Sequence, residues 1–253
     1  MKIAILIYSV NDNSGTSLVA MDQSSILQKS GHDVTVFTLI PYDGDKNVTI
    51  KNLERPLFNL PLWNYPFMYL FAILPPPIHL PFINRCLKSL IGYDMVIAYD
   101  YPLSWLAYYA KQKYSLKYLC FFQGLQLPEM CESVFEKIYT KILAKYLYKR
   151  SVANADNIIV ETEFLRSLIN KRLSIESDVI QNPTYLFMKK NETGNNIRNK
   201  FQLGDNPVIL YIDRLEEHKG VDILLNAFTD VRKRVPDAKL IIIGKCTRQS
   251  YFN

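Results

Sequence analysis

Arg214 and Lys219 are the residues of this 253-residue chain whose types and spacing best suit chemistry. They stand in a charged loop between an apolar run, 208–212, and an amphipathic stretch opened by Gly220. A guanidinium offers a planar fork for two phosphate oxygens, and an ammonium is a mobile point charge. Gly220, lacking a Cβ, would let the backbone approach a ligand closely. The unpaired amides of a following helix add partial positive charge, typically about 0.3–1 kcal/mol for an exposed anion. A second apolar run, 240–243, completes a βαβ opening, and such a helix N-terminus can receive a phosphate. The competing reading is a solvated loop whose cations pair with Glu216 and Glu217.

Other candidates carry less. Cys86, Cys120, Cys131 and Cys246 have no C-x-x-C or His-associated spacing. Cys86 and Cys120 lie in apolar runs and read as buried, reduced thiols of a cytosolic protein. No carboxylate–His cluster has metal-ligand spacing, and His218 reads as a solvated loop residue. Lys137, Lys141, Lys145 and Lys149 recur every fourth residue, beside Ile138, Ile142, Ala144 and Tyr148. That stripe is either a solvated helix face or a basic amphipathic surface for anionic lipid, at about 1 kcal/mol per lysine.

The elements that must position these residues follow from the apolar runs. Residues 3–8 read as a buried strand, 17–30 as a helix ending at Gly31, and 33–38 as a second strand. Further runs at 95–99, 118–122 and 157–160 are each followed by helix-like sequence, at 102–114, 129–155 and 163–173. Residues 179–180 close the series as a short strand. Short continuous apolar strands alternating with helices predict a doubly wound, Rossmann-like α/β domain over residues 1–188. Residues 189–206 are polar and read as a linker with a short helix at 197–201, and a second domain begins at 207. The stretch 57–90 is apolar and broken by Pro75-Pro76-Pro77, with helical pieces expected at 66–74 and 81–91. It reads as a core-packing helix pair, or as an apolar patch for a membrane or partner. A composition of 49% hydrophobic and 21% charged residues describes a globular chain. Its net charge of +6 suits an anionic substrate or membrane face, and no nucleic-acid motif accompanies it.

Over residues 208–244 the chain resembles the family-4 retaining glycosyltransferases of the GT-B fold. The resemblance rests on Arg214-Leu215, Lys219-Gly220, Leu224-Leu225, Ala227-Phe228, and Pro236-Asp237-Ala238-Lys239-Leu240 ending at Gly244, all in the family's order. The first domain matches more loosely, through Gly31-His32-Asp33-Val34, Ala155-Asp156-Asn157-Ile158-Ile159 and Val179-Ile180-Gln181-Asn182. The resemblance implies a GT-B enzyme transferring a sugar from a nucleotide diphosphate-sugar to a glycan or lipid-linked acceptor. It further implies retention of configuration, no metal or other cofactor, and work at the cytoplasmic membrane face. Arg214 and Lys219 would hold the donor diphosphate and act on it as leaving group, with Gly15 and Gly220 giving close approach. Gln123, Gly124, Asp100 and Asn182 would lie on the acceptor side. Asp100 has an equally good reading as the cap of the helix near Pro102.

Several positions depart from the family pattern. Asp213 stands where glycine is usual, placing a negative charge beside the phosphate site or orienting Arg214. Gln123-Gly124 stands where His-Gly is common, and an amide can hydrogen-bond but cannot act as acid or base near neutral pH. Only Gly15 remains of a first-loop glycine pair. The family's later glutamate-rich motif and terminal helix do not occur in these residues. The expectation is therefore a second domain, 207–253, that is incomplete. Its remainder would be supplied by further chain or by a partner polypeptide, and a non-catalytic acceptor- or partner-binding module is the alternative.

Overall fold

Five successive apolar residues fill the strand Lys2–Ile7 (β1), and all five are buried. A strand covered on both faces belongs inside a parallel sheet, and β1 pairs in parallel with strands on both sides. In the computed structural model the described residues are 1–10, 14–42, 44, 48–53, 83–99, 103–124, 134, 137–138, 141, 151–182, 195–216 and 219–245. The chain divides into two units, Met1–Leu186 and Phe187–Asn253.

The first unit holds β1, α1 (Gly15–Lys29), β2 (Asp33–Thr38), β3 (Thr49–Asn52), β4 (Met95–Tyr99), α2 (Leu103–Tyr114), β5 (Lys117–Phe122), β6 (Asn157–Val160), α3 (Glu163–Leu173) and β7 (Asp178–Val179). Its seven strands run in the order β3-β2-β1-β4-β5-β6-β7, every pairing parallel. Strand residues alternate between two cores. Ile3, Ile5, Ile7, Val34, Val36, Ile97, Tyr99 and Phe121 join Val19 and Ala20 of α1 on one face. Ala4, Leu6, Phe37, Val96, Ala98, Tyr118, Cys120 and Phe122 pack on the other with buried residues of α2 and α3. Helices on both faces complete the doubly wound architecture that the apolar runs predict. Each fully buried Ile, Leu or Val there contributes about 1.5–3 kcal/mol relative to exposure. The Tyr99 hydroxyl donates to Gln23 Oε1 and ties α1 to the end of β4.

The predicted elements that fall on described residues appear with small shifts. Helix α1 starts at Gly15, ahead of the expected 17, and Gly31 takes the left-handed φ of 84° after it. Helix α3 is capped by Thr162, whose Oγ1 accepts from the Leu165 N–H at 3.1 Å. Strand β3 has no counterpart in the sequence reading, because its TIKN is polar and it lies at the sheet edge. In the apolar stretch 57–90, residues up to 82 lie outside the described ones; 83–88 are helical and bury Ile83, Cys86 and Leu87. Of the expected helix 129–155, residues 134, 137, 138, 141 and 151 are described as helical, the first four of them exposed. Among the described residues no helix is long and apolar enough to cross a membrane.

The second unit holds α4 (Asn195–Lys200), β8 (Val208–Ile212), α5 (Val221–Arg234) and β9 (Lys239–Ile243). Residues 195–206, read as linker, group with it: Arg198 Nη1 donates to the carbonyls of Gly204 (2.8 Å) and Asn206 (3.2 Å). Strands β8 and β9 pair in parallel from Val208↔Lys239 to Ile212↔Ile243. Basic residues 232–234 in the last turn of α5 suit the helix's negative end.

Candidate functional site

The loop holding Arg214 and Lys219 is built by the ends of β8 and β9. Beyond the strands, the Asp213 N–H donates to the Ile243 carbonyl (3.2 Å) and the Leu215 N–H to the Lys245 carbonyl (3.1 Å). The two chains come close enough that a Cβ on Gly244 would sit 2.1 Å from the Asp213 carbonyl oxygen and 2.9 Å from Leu215 Cδ2. Gly244 is thus required by its neighbour, a role that its place at the end of an apolar strand did not disclose. The Tyr211 hydroxyl donates to the Arg214 carbonyl at 3.3 Å. Helix α5 then starts from Gly220, whose φ of 67° suits glycine.

Both cations face carboxylates of the same loop. Arg214 Nη1 donates to Glu216 Oε1 at 3.0 Å, and Lys219 Nζ lies 2.9 Å from Asp213 Oδ2. Asp213 Oδ1 accepts the Arg214 backbone N–H at 2.7 Å, so this residue orients Arg214 through the main chain. The Lys219 N–H donates to the Glu216 carbonyl at 2.9 Å and closes the loop. The Asp213 carboxyl lies below its ordinary range, chiefly through the hydrogen bond from Lys219; partial desolvation opposes this, and the Arg214 N–H and both positive charges assist it. The Arg214 side chain is 56% exposed and that of Lys219 30%, so both remain within reach of an anion. The pairing with Glu216 anticipated in the sequence is present, while Glu217 and His218 lie outside the described residues. Asp213, read in the sequence as a charge beside the phosphate site or as orienting Arg214, also pairs with Lys219, a contact the sequence reading did not name.

In the first unit, parallel strands bring the residues that follow them to one sheet edge. Gly15 opens α1 after β1, Gln123 and Gly124 follow β5, and Asn182 comes after β7. Asp100, next in sequence after β4, lies outside the described residues. The winding reverses between β1 and β4, the crevice where open α/β sheets take ligands. Among the described residues, a Cβ on Gly15 or Gly124 would meet nothing within 4 Å. Gln123 and Asn182 are half-buried, and Asn182 Oδ1 is buried without a hydrogen-bond partner among the described residues. A cavity of about 480 Å³ lined by Asp156, Arg166, Glu176, Ser177 and Asp178 lies at the amino ends of β6 and β7, the opposite edge, and takes no part in this arrangement. Among the described residues no three His, Cys, Asp or Glu side chains are grouped to hold a metal ion.

Comparison with known proteins gives these features a common setting. The profile of "Glycosyltransferase Family 4" matches residues 13–184, and that of "Glycosyl transferases group 1" matches 194–253. A GDP-mannose-dependent α-(1-6)-phosphatidylinositol monomannoside mannosyltransferase of Mycolicibacterium smegmatis is 44% identical over 48 residues, 19% of this chain and 13% of that protein. An uncharacterized glycosyltransferase of Haemophilus influenzae is 24% identical across 96% of this chain and 62% of its own length. The crystal structure of Anabaena HepE with UDP and glucose superposes with a TM-score of 0.71 at 17% identity, over 100% of this chain and 64% of that one. The chain therefore spans less than two thirds of each of these three relatives. With the first profile covering most of its length and a GT-B neighbour sharing its fold, this chain belongs to glycosyltransferase family 4.

Proposed function

We propose that the protein transfers a sugar from a nucleotide diphosphate-sugar to a glycan or lipid-linked acceptor, with retention of configuration. The observation that carries this reading is the pair Arg214 and Lys219 on one loop at the start of α5, both partly exposed. Breaking the donor's glycosidic bond leaves negative charge on a diphosphate. Two cations and the α5 amides held there in advance would stabilise that charge as it grows. No metal is needed for this step in the proposal, since side chains supply the positive charge. The backbone at Gly15 is open to close approach in the first unit, and in the second the missing Cβ of Gly220 lets a phosphate near the start of α5. Gln123, Gly124 and Asn182, and with them Asp100, line the acceptor side in this reading. The Anabaena neighbour's title names UDP and glucose, the two parts of such a donor.

The exposed Lys137, Ile138 and Lys141 support a peripheral contact with an anionic cytoplasmic membrane face. The alternative of a non-catalytic binding module is not favoured by the named glycosyltransferase relatives.

The test is transfer assayed against a panel of nucleotide sugars, with Arg214→Ala and Lys219→Ala beside the parent. Each substitution should lower kcat/KM by about 10²–10³-fold, as loss of one charge-stabilising group does elsewhere. No transfer from any donor, together with undiminished donor binding by Arg214→Ala, would remove the proposal.

A further inference from the structure

The loop that presents Arg214 and Lys219 also presents two anions. Glu216 takes the guanidinium and Asp213 takes the ammonium, so these four side chains sum to zero charge. A diphosphate arriving at such a loop must compete with both carboxylates for the cations. The two are not equivalent. Both backbones are held in the loop, that of Glu216 through its N–H to the Arg214 carbonyl (3.1 Å) and its carbonyl from the Lys219 N–H (2.9 Å), but Glu216 reaches Arg214 through a long side chain whereas Asp213 is short. Its N–H is bound to the Ile243 carbonyl, its own carbonyl lies against Gly244, and its Oδ1 is held by the Arg214 N–H. Its Oδ2, 2.9 Å from Lys219 Nζ, is therefore an anion that cannot easily leave.

We propose that Asp213 is a positioning and affinity-setting residue. It holds the Lys219 ammonium at the start of α5 and competes with the donor diphosphate for it. This rests on the reading of the loop as the donor's diphosphate grip. When a diphosphate binds, Lys219 must be shared between Asp213 and the ligand, and the fixed carboxylate repels the ligand's charge. The consequence is weaker holding of the nucleoside diphosphate left after transfer, and faster release of that product. Product release limits turnover in many enzymes, so a built-in competitor trades donor affinity for turnover.

The experiment measures binding of inorganic pyrophosphate, and of inorganic phosphate beside it, by calorimetry. The parent, Asp213→Asn, Asp213→Gly, Arg214→Ala and Lys219→Ala are compared. Asparagine keeps an acceptor for the Arg214 N–H and removes the charge, and glycine removes the group altogether. Both Asp213 variants should bind pyrophosphate about three- to tenfold more tightly at low salt, from relief of one close charge repulsion in a solvated site. The gain should be smaller for phosphate and should shrink in about 0.5 M salt. A purely structural Asp213 would show neither the charge ranking nor the salt dependence. If Arg214→Ala and Lys219→Ala leave pyrophosphate binding unchanged, the loop does not grip a diphosphate and both readings fall. If those two weaken it while folded Asp213 variants bind no more tightly than the parent, the Asp213 proposal alone falls. Unfolding of both Asp213 variants, seen by thermal melting, would assign the residue a structural role and overturn the proposal equally.

Discussion

Single residues decide how the loop of the second unit is shaped. Gly244→Ala would place a methyl 2.1 Å from the Asp213 carbonyl oxygen, a contact with backbone that side-chain motion cannot relieve. The expected cost is about 1–3 kcal/mol, visible as a lower urea midpoint for β8 and β9 by amide exchange; an unchanged midpoint would rule the contact out. Asp156 plays the corresponding part in the first unit. Its Oδ1 accepts from Lys111 Nζ at 2.6 Å and its Oδ2 from the Tyr118 N–H at 2.8 Å. The Lys111 hydrogen bond first, then the Tyr118 N–H, hold its carboxyl below the ordinary range against some desolvation. A depressed folded value stabilises the fold above the unfolded carboxyl's pKa, about 3.9, and that stabilisation is lost as pH falls through the lower folded value. Asp156→Ala should cost about 1–2 kcal/mol at neutral pH for a partly exposed pair plus one backbone bond. Urea unfolding from pH 5 downward should show the gap narrowing, and a gap independent of pH would sink the assignment. At this scale the sequence disclosed the cations and one partner, Glu216, but not the pairing of Lys219 with Asp213. Arg214 and Lys219 stand out by type, but which carboxylate each meets depends on how the chain turns after β8.

At the scale of elements, burial on both faces made the fold readable. Strands β2, β4, β6 and β8 and helix α3 fall where the apolar runs and the helix-like sequence after them place them. Strand β3 was invisible because an edge strand needs no apolar face, and Thr49, Lys51 and Asn52 are exposed. The acceptor-side residues were legible only as positions that follow strands. Their gathering on one edge follows from all strands being parallel, which the short continuous apolar runs had predicted. Helix α3 gives a direct test of local coding. Thr162 is its N-cap, its side chain accepting from the Leu165 N–H. Thr162→Ala should destabilise the first unit by about 1 kcal/mol, with Thr162→Ser restoring most of it. Equal stability of Ala and Ser variants in urea would show that the hydroxyl is not the cap.

Across the whole molecule the two units differ in how their apolar surface is covered. In the first, β1, β4 and β5 are packed on both faces, with Ile5, Leu6, Val96, Ala98, Tyr118 and Cys120 at or near zero exposure. In the second, Leu210, Ile212, Ile223 and Ile243 are each more than half exposed. Parallel strands are rarely left with open faces, and a two-stranded sheet is marginal by itself. Backbone hydrogen bonds with so little apolar cover open at low cost, whereas those under a complete core open only with the unit. Amide exchange should accordingly be slowest in β1, β4 and β5, and faster by about 100-fold or more in β8 and β9. Equal protection of both groups would mean that the second unit's apolar faces are covered in solution, and a size measurement on the same sample would then identify self-association. Ligand linkage sharpens the comparison, since a compound that binds only the folded loop stabilises it by mass action. Saturating pyrophosphate should slow exchange around 213–221 and in β8 and β9 while leaving β1 unaltered, because the cations proposed to hold it belong entirely to the second unit.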